Sequence, residues 1–362
     1  MIKKKLCLVI PTLQAGGMER VMSELAGYFC QKNELEVHMV FYGRNYEVFY
    51  PLPESLIVHH PVSPFNNKLR FIASIGRLLY LRREFRKISP DSILSFGEFW
   101  NSFVLLSLIG LTYPVYISDR CSPEKKYSLS HSLLRKFLYP RSGGIISQTE
   151  KAREIYFKAF KHKNITVIGN PIRQVNTGNI SDKQNNILMV GRLIKSKNQD
   201  RLIELFLNIK VPGWKLVLVG YDHLKQNNLE RLKAIISQNK AEQKVLLEGK
   251  QSDVDYYYST SRIFAFTSTS EGFPNAIGEA MSAGVPVVAF DCVAGPSEMI
   301  RDNHNGFLIP AHDYKMFQDK LEILMNDEPL REKFGKNASV DIKKFSIESI
   351  GEKFLEFILK KK

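Results

Sequence analysis

Short apolar runs alternate with longer amphipathic segments along the whole of this 362-residue chain, and that alternation limits the folds open to it. Candidate strands in the first half are residues 6–11, 37–41, 57–60, 92–96, 115–118, 144–147 and 165–168. In the second half they are 186–190, 215–219, 245–248, 263–267, 285–289 and 306–309. Several are apolar at every position, the pattern of parallel strands covered on both faces. Helical periodicity fills the gaps, as over 19–30, 68–88, 197–208, 228–239, 275–283 and 314–326. Such alternation predicts an α/β protein with doubly wound parallel sheets. It pauses once, in a polar, Asn-rich stretch near the middle. The expected organisation is a Rossmann-like lobe over 1–172, a linker over 173–185, a second such lobe over 186–345, and a closing helix over 346–362 that can return to the first lobe. Ligands of such sheets bind beyond the carboxyl ends of the strands, so two lobes facing a central cleft are the expected frame for a site.

Other classes fall away on local features. The cysteines Cys7, Cys30, Cys121 and Cys292 show no Cys-x-x-Cys or Cys/His spacing. That argues against a structural metal and fits reduced thiols in a cytoplasm. Lysines 3–5 precede an apolar run that Pro11 ends after five residues, so the N-terminus reads as a strand and not as a secretory signal. Residues 99–118 carry no charge and approach bilayer-spanning length, but Gly110, Thr112 and Pro114 break them into a helix, a turn and a strand.

The formal charge of +14 is unevenly placed. Residues 1–178 hold 25 basic and 13 acidic side chains, net +12, and residues 179–362 hold 26 and 24, net +2. An acidic partner is expected for the first half.

Three segments offer chemistry. The first strand runs into Gly16-Gly17-Met18-Glu19-Arg20, and a strand, glycine loop and helix can aim backbone N–H groups at an anion. Glycines also simply permit a tight turn, and the loop alone does not separate the two. The second lobe opens with Gly191, Arg192 and Lys197. A guanidinium fork and an ammonium suit a phosphate, and a solvated basic turn suits a basic chain equally. The richest segment holds Glu271, Gly272-Phe273-Pro274, Asn275, Ala276 and Glu279. Glu271 falls in a loop at a strand's carboxyl end, and Glu279 about one turn into the next helix. Carboxylates on either side of an anion-binding helix start suit a nucleotide sugar, with hydroxyls flanking its diphosphate. A capping Glu271 and a solvated Glu279 are the alternative, which leaves the density of glycine and proline unexplained.

In their order and spacing these motifs, with Gly295-Pro296-Ser297-Glu298 after the next strand, resemble the retaining glycosyltransferases of family 4 over nearly the whole chain. The resemblance is to bacterial members that extend lipid-linked or surface glycans, and it implies the two-lobed GT-B fold. It implies that Arg192 and Lys197 hold the donor diphosphate and that Glu271 contacts the donor sugar, the three forming the catalytic set. Gly16 and Gly17 would close over the phosphates beside Gly191, and Gly249 and Lys250 would meet the base. Gly272, Phe273, Pro274, Asn275 and Ala276 would line the donor, and Glu279 would bind the ribose. The implied donor is a UDP-linked hexose or N-acetylhexosamine. No cofactor or metal is implied, because cations and a helix N-terminus stabilise the departing diphosphate. Retention is explained by front-face attack, in which a donor phosphate oxygen takes the acceptor proton. Glu271 is therefore not assigned as a nucleophile, the role a carboxylate takes in retaining glycosidases.

Many relatives carry a histidine after the fourth strand. Here the segment reads Ser95-Phe96-Gly97-Glu98-Phe99-Trp100-Asn101, and Glu98 or Asn101 is the expected replacement. Asp253-Val254-Asp255 opens a helix, where capping is its expected role.

The segment around Asp119 and Arg120 resembles that of members acting on lipid-linked glycans, which makes both residues acceptor candidates. Residues 67–87 carry net +6 and residues 121–141 net +4. Arg82, Arg83, Arg86, Lys125, Lys126, Arg135 and Lys136 are the expected contacts to an anionic membrane or a polyprenyl diphosphate. A sheet-packing helix with a solvated basic face is the alternative. The expected location is cytoplasmic, peripheral to the inner face of a membrane, with a lipid-linked saccharide as acceptor. A UDP-sugar 2-epimerase of the same two-lobed fold is the competing enzyme class, but no histidine–carboxylate set for ring epimerisation is visible. Charge alone would admit a nucleic-acid binder, and no recognition motif accompanies it, so no nucleic-acid partner is expected.

Overall fold

Leu6 to Ile10 have no exposed surface, and five consecutive buried residues require cover on both faces of their sheet. The computed structural model describes residues 3–43, 48–63, 65–178, 183–222 and 226–360. The chain divides into two compact units, one formed by Met1–Pro171 with Ile347–Lys362, the other by Ile172–Ser346.

The first unit holds β1 (Lys4–Ile10), β2 (Leu35–Phe41), β3 (Ile57–His59), β4 (Ser92–Phe96), β5 (Val115–Ser118), β6 (Gly144–Ser147) and β7 (Ile165–Val167). All pair in parallel, in the order β3-β2-β1-β4-β5-β6-β7. The reversal of direction at β1 puts the crossover helices on both faces. These are α1 (Gly17–Cys30), α2 (Arg70–Ile88), α3 (Glu98–Ser107), α4 (Leu129–Leu138) and α5 (Glu150–Phe160). Leu81 and Phe85 of α2, Val104 of α3, Leu138 of α4 and Tyr156 of α5 close one core with the strands. The uncharged stretch 99–118 is α3, a turn and β5. Among the described residues no helix is long and apolar enough to cross a membrane.

The second unit holds β8 (Gln184–Val190), α6 (Gln199–Asn208), β9 (Lys215–Val219), α7 (Asn228–Gln238), β10 (Val245–Gly249), α8 (Val254–Thr260), β11 (Ser261–Phe266), α9 (Asn275–Ser282), β12 (Val287–Asp291), α10 (Pro296–Met299), β13 (Gly306–Pro310), α11 (Tyr314–Asn326) and α12 (Glu328–Asp341). Its sheet is parallel throughout, in the order β10-β9-β8-β11-β12-β13.

One segment differs from the linker expected over 173–185. Residues 172–178 are pinned to the second unit: Ile172 N–H donates to Phe345 O at 2.8 Å, Val175 N–H to Ser282 Oγ at 3.1 Å, and Asn176 N–H to Asp255 Oδ2 at 2.9 Å. The polar composition of this stretch thus serves backbone and carboxylate bonds, while residues 179–182 lie outside those described. The last helix, α13 (Ile347–Ile358), packs on α1 of the first unit. Gly351 is required there, since a Cβ would lie 2.3 Å from the Tyr28 ring. Tyr28 Oη donates to Glu352 Oε2 at 2.9 Å.

At one edge of the first sheet His38 Nδ1 lies 3.0 Å from His59 Nε2, with Glu36 on the far side of His38 and Glu84 on the far side of His59. Burial and the neighbouring His38 depress the basicity of His59. A histidine whose folded pKa is lowered takes up its proton more readily when unfolded, so stability rises with pH in that window and is lost as pH falls below about 6.5. The urea midpoint is expected to fall between pH 7.5 and pH 5.5, and His59→Gln is expected to flatten that fall. An unchanged slope in the variant would remove His59 as its cause.

Candidate active site

The functional candidates of the second unit gather at the carboxyl end of its sheet because β8 and β11 are neighbours. The loop after β8 makes a short 3-10 turn over Lys195–Lys197, and Asn198 turns the chain into α6 with φ 53°. The loop after β11 is stitched to it. Thr267 Oγ1 donates to Lys197 O at 2.8 Å, Asn198 Nδ2 to Thr267 O at 3.0 Å, and Thr269 N–H to Ser196 O at 2.9 Å. These bonds fix where two charged side chains meet. Lys197 Nζ donates to Glu271 Oε1 at 2.5 Å, and Ser268 Oγ donates to the same oxygen at 2.6 Å. Lys197 and Glu271 are 13% and 14% exposed, so the pair is largely withdrawn from water but still reachable. The Cys292 thiol, pushed up to about 12 by burial and by Glu271, lies in the same neighbourhood.

Arg192 is exposed, and its backbone carbonyl accepts from Gln199 Nε2 at 2.9 Å. The loop after β9 comes so close that a Cβ on Gly220 would lie 1.8 Å from Gly191 O. Gly249 ends β10 with φ 69°, and its carbonyl accepts from Gly220 N–H. Lys250 is exposed, with Nζ 5.7 Å from the Tyr221 ring centre.

Four residues after Glu271, α9 begins at Asn275 with Pro274 before it. Gly295 has φ 115°, and a Cβ there would meet Pro274 Cδ at 2.1 Å, so only glycine lets the loop after β12 approach this helix start. Gly272 is half-buried, Ala276 lies in the first turn of α9, and the Phe273 ring is buried against Phe345. Glu279 is more committed than a ribose-binding carboxylate need be. It accepts from Tyr258 Oη at 3.0 Å and pairs with Arg173 Nε at 3.4 Å. Asp253 caps α8 by accepting from Tyr256 N–H at 3.2 Å, and Asp255 pairs with Arg173. Sequence reasoning missed Arg173, Tyr258 and Ser268, which orient the two glutamates. Only their nearness in the fold reveals them.

In the first unit Gly16 caps α1, and both its backbone groups bond Tyr50 Oη, at 3.1 Å from the N–H and 2.9 Å from the carbonyl. Gly17 is the first residue of α1. The Glu19 carboxyl folds back toward Gly16, and burial raises its pKa.

The acceptor-side expectations need correction. Asn101 is fully buried, accepting from Ser95 Oγ at 2.9 Å and donating to Ser118 O at 3.1 Å and Asp119 Oδ1 at 3.0 Å. Asp119 also accepts from Tyr139 Oη at 2.7 Å and is ion-paired with Arg135. These groups tie β4, β5, α3 and α4 together and do not present themselves to a ligand. Arg135 accordingly does not lie on a lipid-facing surface. Arg82 is also turned inward in part, donating to the carbonyls of Ser107 and Ile109 at the end of α3. Arg120 stacks on Phe96 at 3.5 Å and donates to Asn170 Oδ1 at 2.7 Å, while burial pulls its pKa down to about 9. Its Nε and Nη2 atoms are enclosed. Glu98 is bonded by Lys125 Nζ at 2.8 Å. Burial would raise its pKa, but the hydrogen bonds from Lys125 and the backbone outweigh this and hold it low. His131 Nε2 lies 3.1 Å from Glu98 O, so that nitrogen carries the proton. An imidazole thus reaches the first residue of α3 from α4, 33 residues downstream. Arg83, Arg86, Lys126 and Lys136 are exposed.

Two doubly wound parallel sheets, the second with a lysine–glutamate pair at its strand ends beside a helix start, have the architecture of the GT-B fold. The model described as Glycosyltransferase Family 4 matches residues 15–174, and the one described as Glycosyl transferases group 1 matches residues 172–341. The chain is 30% identical over 346 residues to the amylovoran biosynthesis glycosyltransferase AmsD of Erwinia amylovora, covering 92% of this chain and 93% of that protein. It is 29% identical over 373 residues to the N-acetylgalactosamine-N,N'-diacetylbacillosaminyl-diphospho-undecaprenol 4-alpha-N-acetylgalactosaminyltransferase of Campylobacter jejuni, covering 98% and 100%. Among solved structures, Anabaena Alr3699/HepE in complex with UDP superposes with a TM-score of 0.81 at 18% identity, covering 98% of each chain, and shares the fold. The chain belongs to glycosyltransferase family 4.

The buried Asp119 network gives a sharp expectation. Asp119→Ala strands the Arg135 guanidinium and should lower unfolding stability by about 3–5 kcal/mol, read from urea denaturation. Native stability with loss of acceptor affinity alone would return Asp119 to the acceptor site.

Proposed function

We propose that the protein is a retaining glycosyltransferase that moves a hexose or N-acetylhexosamine from a UDP-sugar to a lipid-linked or surface-polysaccharide saccharide. The observation that carries this reading is the Lys197–Glu271 pair, held by Ser268 at the carboxyl ends of β8 and β11, four residues before α9 begins. An arriving diphosphate would compete with Glu271 for the Lys197 ammonium, with the exposed Arg192 available as a second cation. Glu271 released from Lys197 is then free to accept from sugar hydroxyls. As the anomeric bond breaks, negative charge grows on the departing diphosphate, and Lys197, Arg192 and the α9 N-terminus stabilise it without a metal. A donor phosphate oxygen takes the acceptor proton, so the new bond forms on the face the nucleotide leaves.

UDP as the nucleotide is supported by the complex of the similar Anabaena structure. A lipid-linked acceptor is supported by the undecaprenyl diphosphate named for the Campylobacter relative. The reaction then takes place at the inner face of a membrane, with the protein peripheral to it.

Glu271→Ala should lower transfer at least about 100-fold with little change in melting temperature. Full activity in that variant would remove Glu271 from the site. A thermal-shift comparison of UDP-, GDP- and ADP-sugars identifies the nucleotide, and proton NMR of the product identifies the anomer. Activity that survives EDTA supports the metal-free mechanism. A new sugar nucleotide formed from donor alone would replace this reading with epimerisation.

A further inference from the structure

Two helices of the first unit turn apolar side chains outward. On α2, Phe71 is 79% exposed, Ile72 64% and Leu79 62%. On α4, Leu129 is 78% exposed, Leu133 58% and Phe137 56%, one stripe at four-residue spacing. Each helix packs by its other side, α2 through Leu81 and Phe85 and α4 through Arg135 and Leu138. Between them, and in contact with both, α3 adds the exposed Phe99 and Trp100. Single exposed leucines are ordinary, whereas a group of large exposed apolar side chains on adjoining helices marks a surface that something covers. Next to α2 a cavity of about 490 Å³ is lined by Val62, Phe65, Leu79 and Tyr80 together with Arg77 and Arg83.

The charge around this face selects its occupant. Lys68, Arg70, Arg83, Arg86, Lys126 and Lys136 are exposed on or beside these helices, while the one acid of α2, Glu84, is buried. A second copy would bring the same cations against them. An anionic lipid surface would complement them, with long basic side chains reaching headgroups while apolar ones enter the acyl layer.

We propose that the outer face of α2, α3 and α4 inserts into an anionic phospholipid bilayer, with Phe71, Ile72, Leu129, Leu133 and Phe137 as the inserting side chains. The proposal builds on the membrane setting of the proposed function. It shifts the contact from Arg135, which is buried, and Arg82, which is turned inward in part, to the apolar side chains that share the two basic windows with them.

The test uses the whole chain with phosphatidylcholine vesicles containing about 30 mol% phosphatidylglycerol. The wild type should co-sediment, and the emission of the exposed Trp100 should shift to the blue. Phe71→Asn with Ile72→Asn, and Leu133→Asn with Phe137→Asn, should each lower partitioning by about tenfold or more with unchanged melting temperature. Wild-type protein that stays in the supernatant, or variants that partition as the wild type does, would overturn the proposal. So would a wild-type dimer in sedimentation velocity that these variants split, since the face would then join two copies. Transfer from a UDP-sugar to a lipid-linked saccharide dispersed in neutral detergent, where no anionic bilayer is present, separates the two readings. Its absence in a wild type that binds vesicles would defeat the proposed function and leave the insertion surface standing.

Discussion

Parallel pairing of β8 with β11 is the constraint on which the donor-side geometry rests. Both strands point the same way, so the loops that leave them emerge side by side at the carboxyl end of the sheet. Thr267, Asn198 and Thr269 then bond each loop to the other's backbone. Lys197 and Glu271, 74 residues apart in sequence, meet because of this and for no local reason. The same bonds limit how far the pair can drift, so positioning is supplied by the backbone before any ligand arrives.

The corresponding end of the first unit is built differently. There Asn101, Asp119, Arg135 and Tyr139 form a closed set of hydrogen bonds, and each polar group is spent on holding helices to strands. A buried network of this kind specifies one arrangement of its elements and leaves little for recognition. One unit thus keeps a reachable ion pair at its strand ends, whereas the other encloses its own. The charge excess of the first half is likewise divided. Part of it is internal, as in Arg135, and part is exposed on or beside α2 and α4.

Much of the fold was legible because parallel strands announce themselves. Runs such as Leu6 to Ile10 have to be covered on both faces, and strand 263–267 differs from the observed β11 only at its ends. The Asp253 cap was readable for the same local reason. What could not be read was long-range pairing. Nothing near Glu279 in sequence announces Arg173, and nothing near Gly16 announces Tyr50. Charge also misled where burial decided the outcome: Arg135 looks like a surface cation until Asp119 is found beside it. The side faced by the apolar stripe of α4 could not be read either, since periodicity gives the stripe and not the side it faces.

The return of α13 to the first unit has a consequence for the order in which the chain matures. Tyr28 and Phe96 find their partners, Gly351 and Phe354, only after every residue of the second unit has been synthesised. Ile172–Ser346 is contiguous and needs no later segment to complete its core. The amino-terminal unit, although made first, must leave one flank of its sheet uncovered until its last helix emerges. The unit made first is thus the one that waits for a distant segment before it is closed.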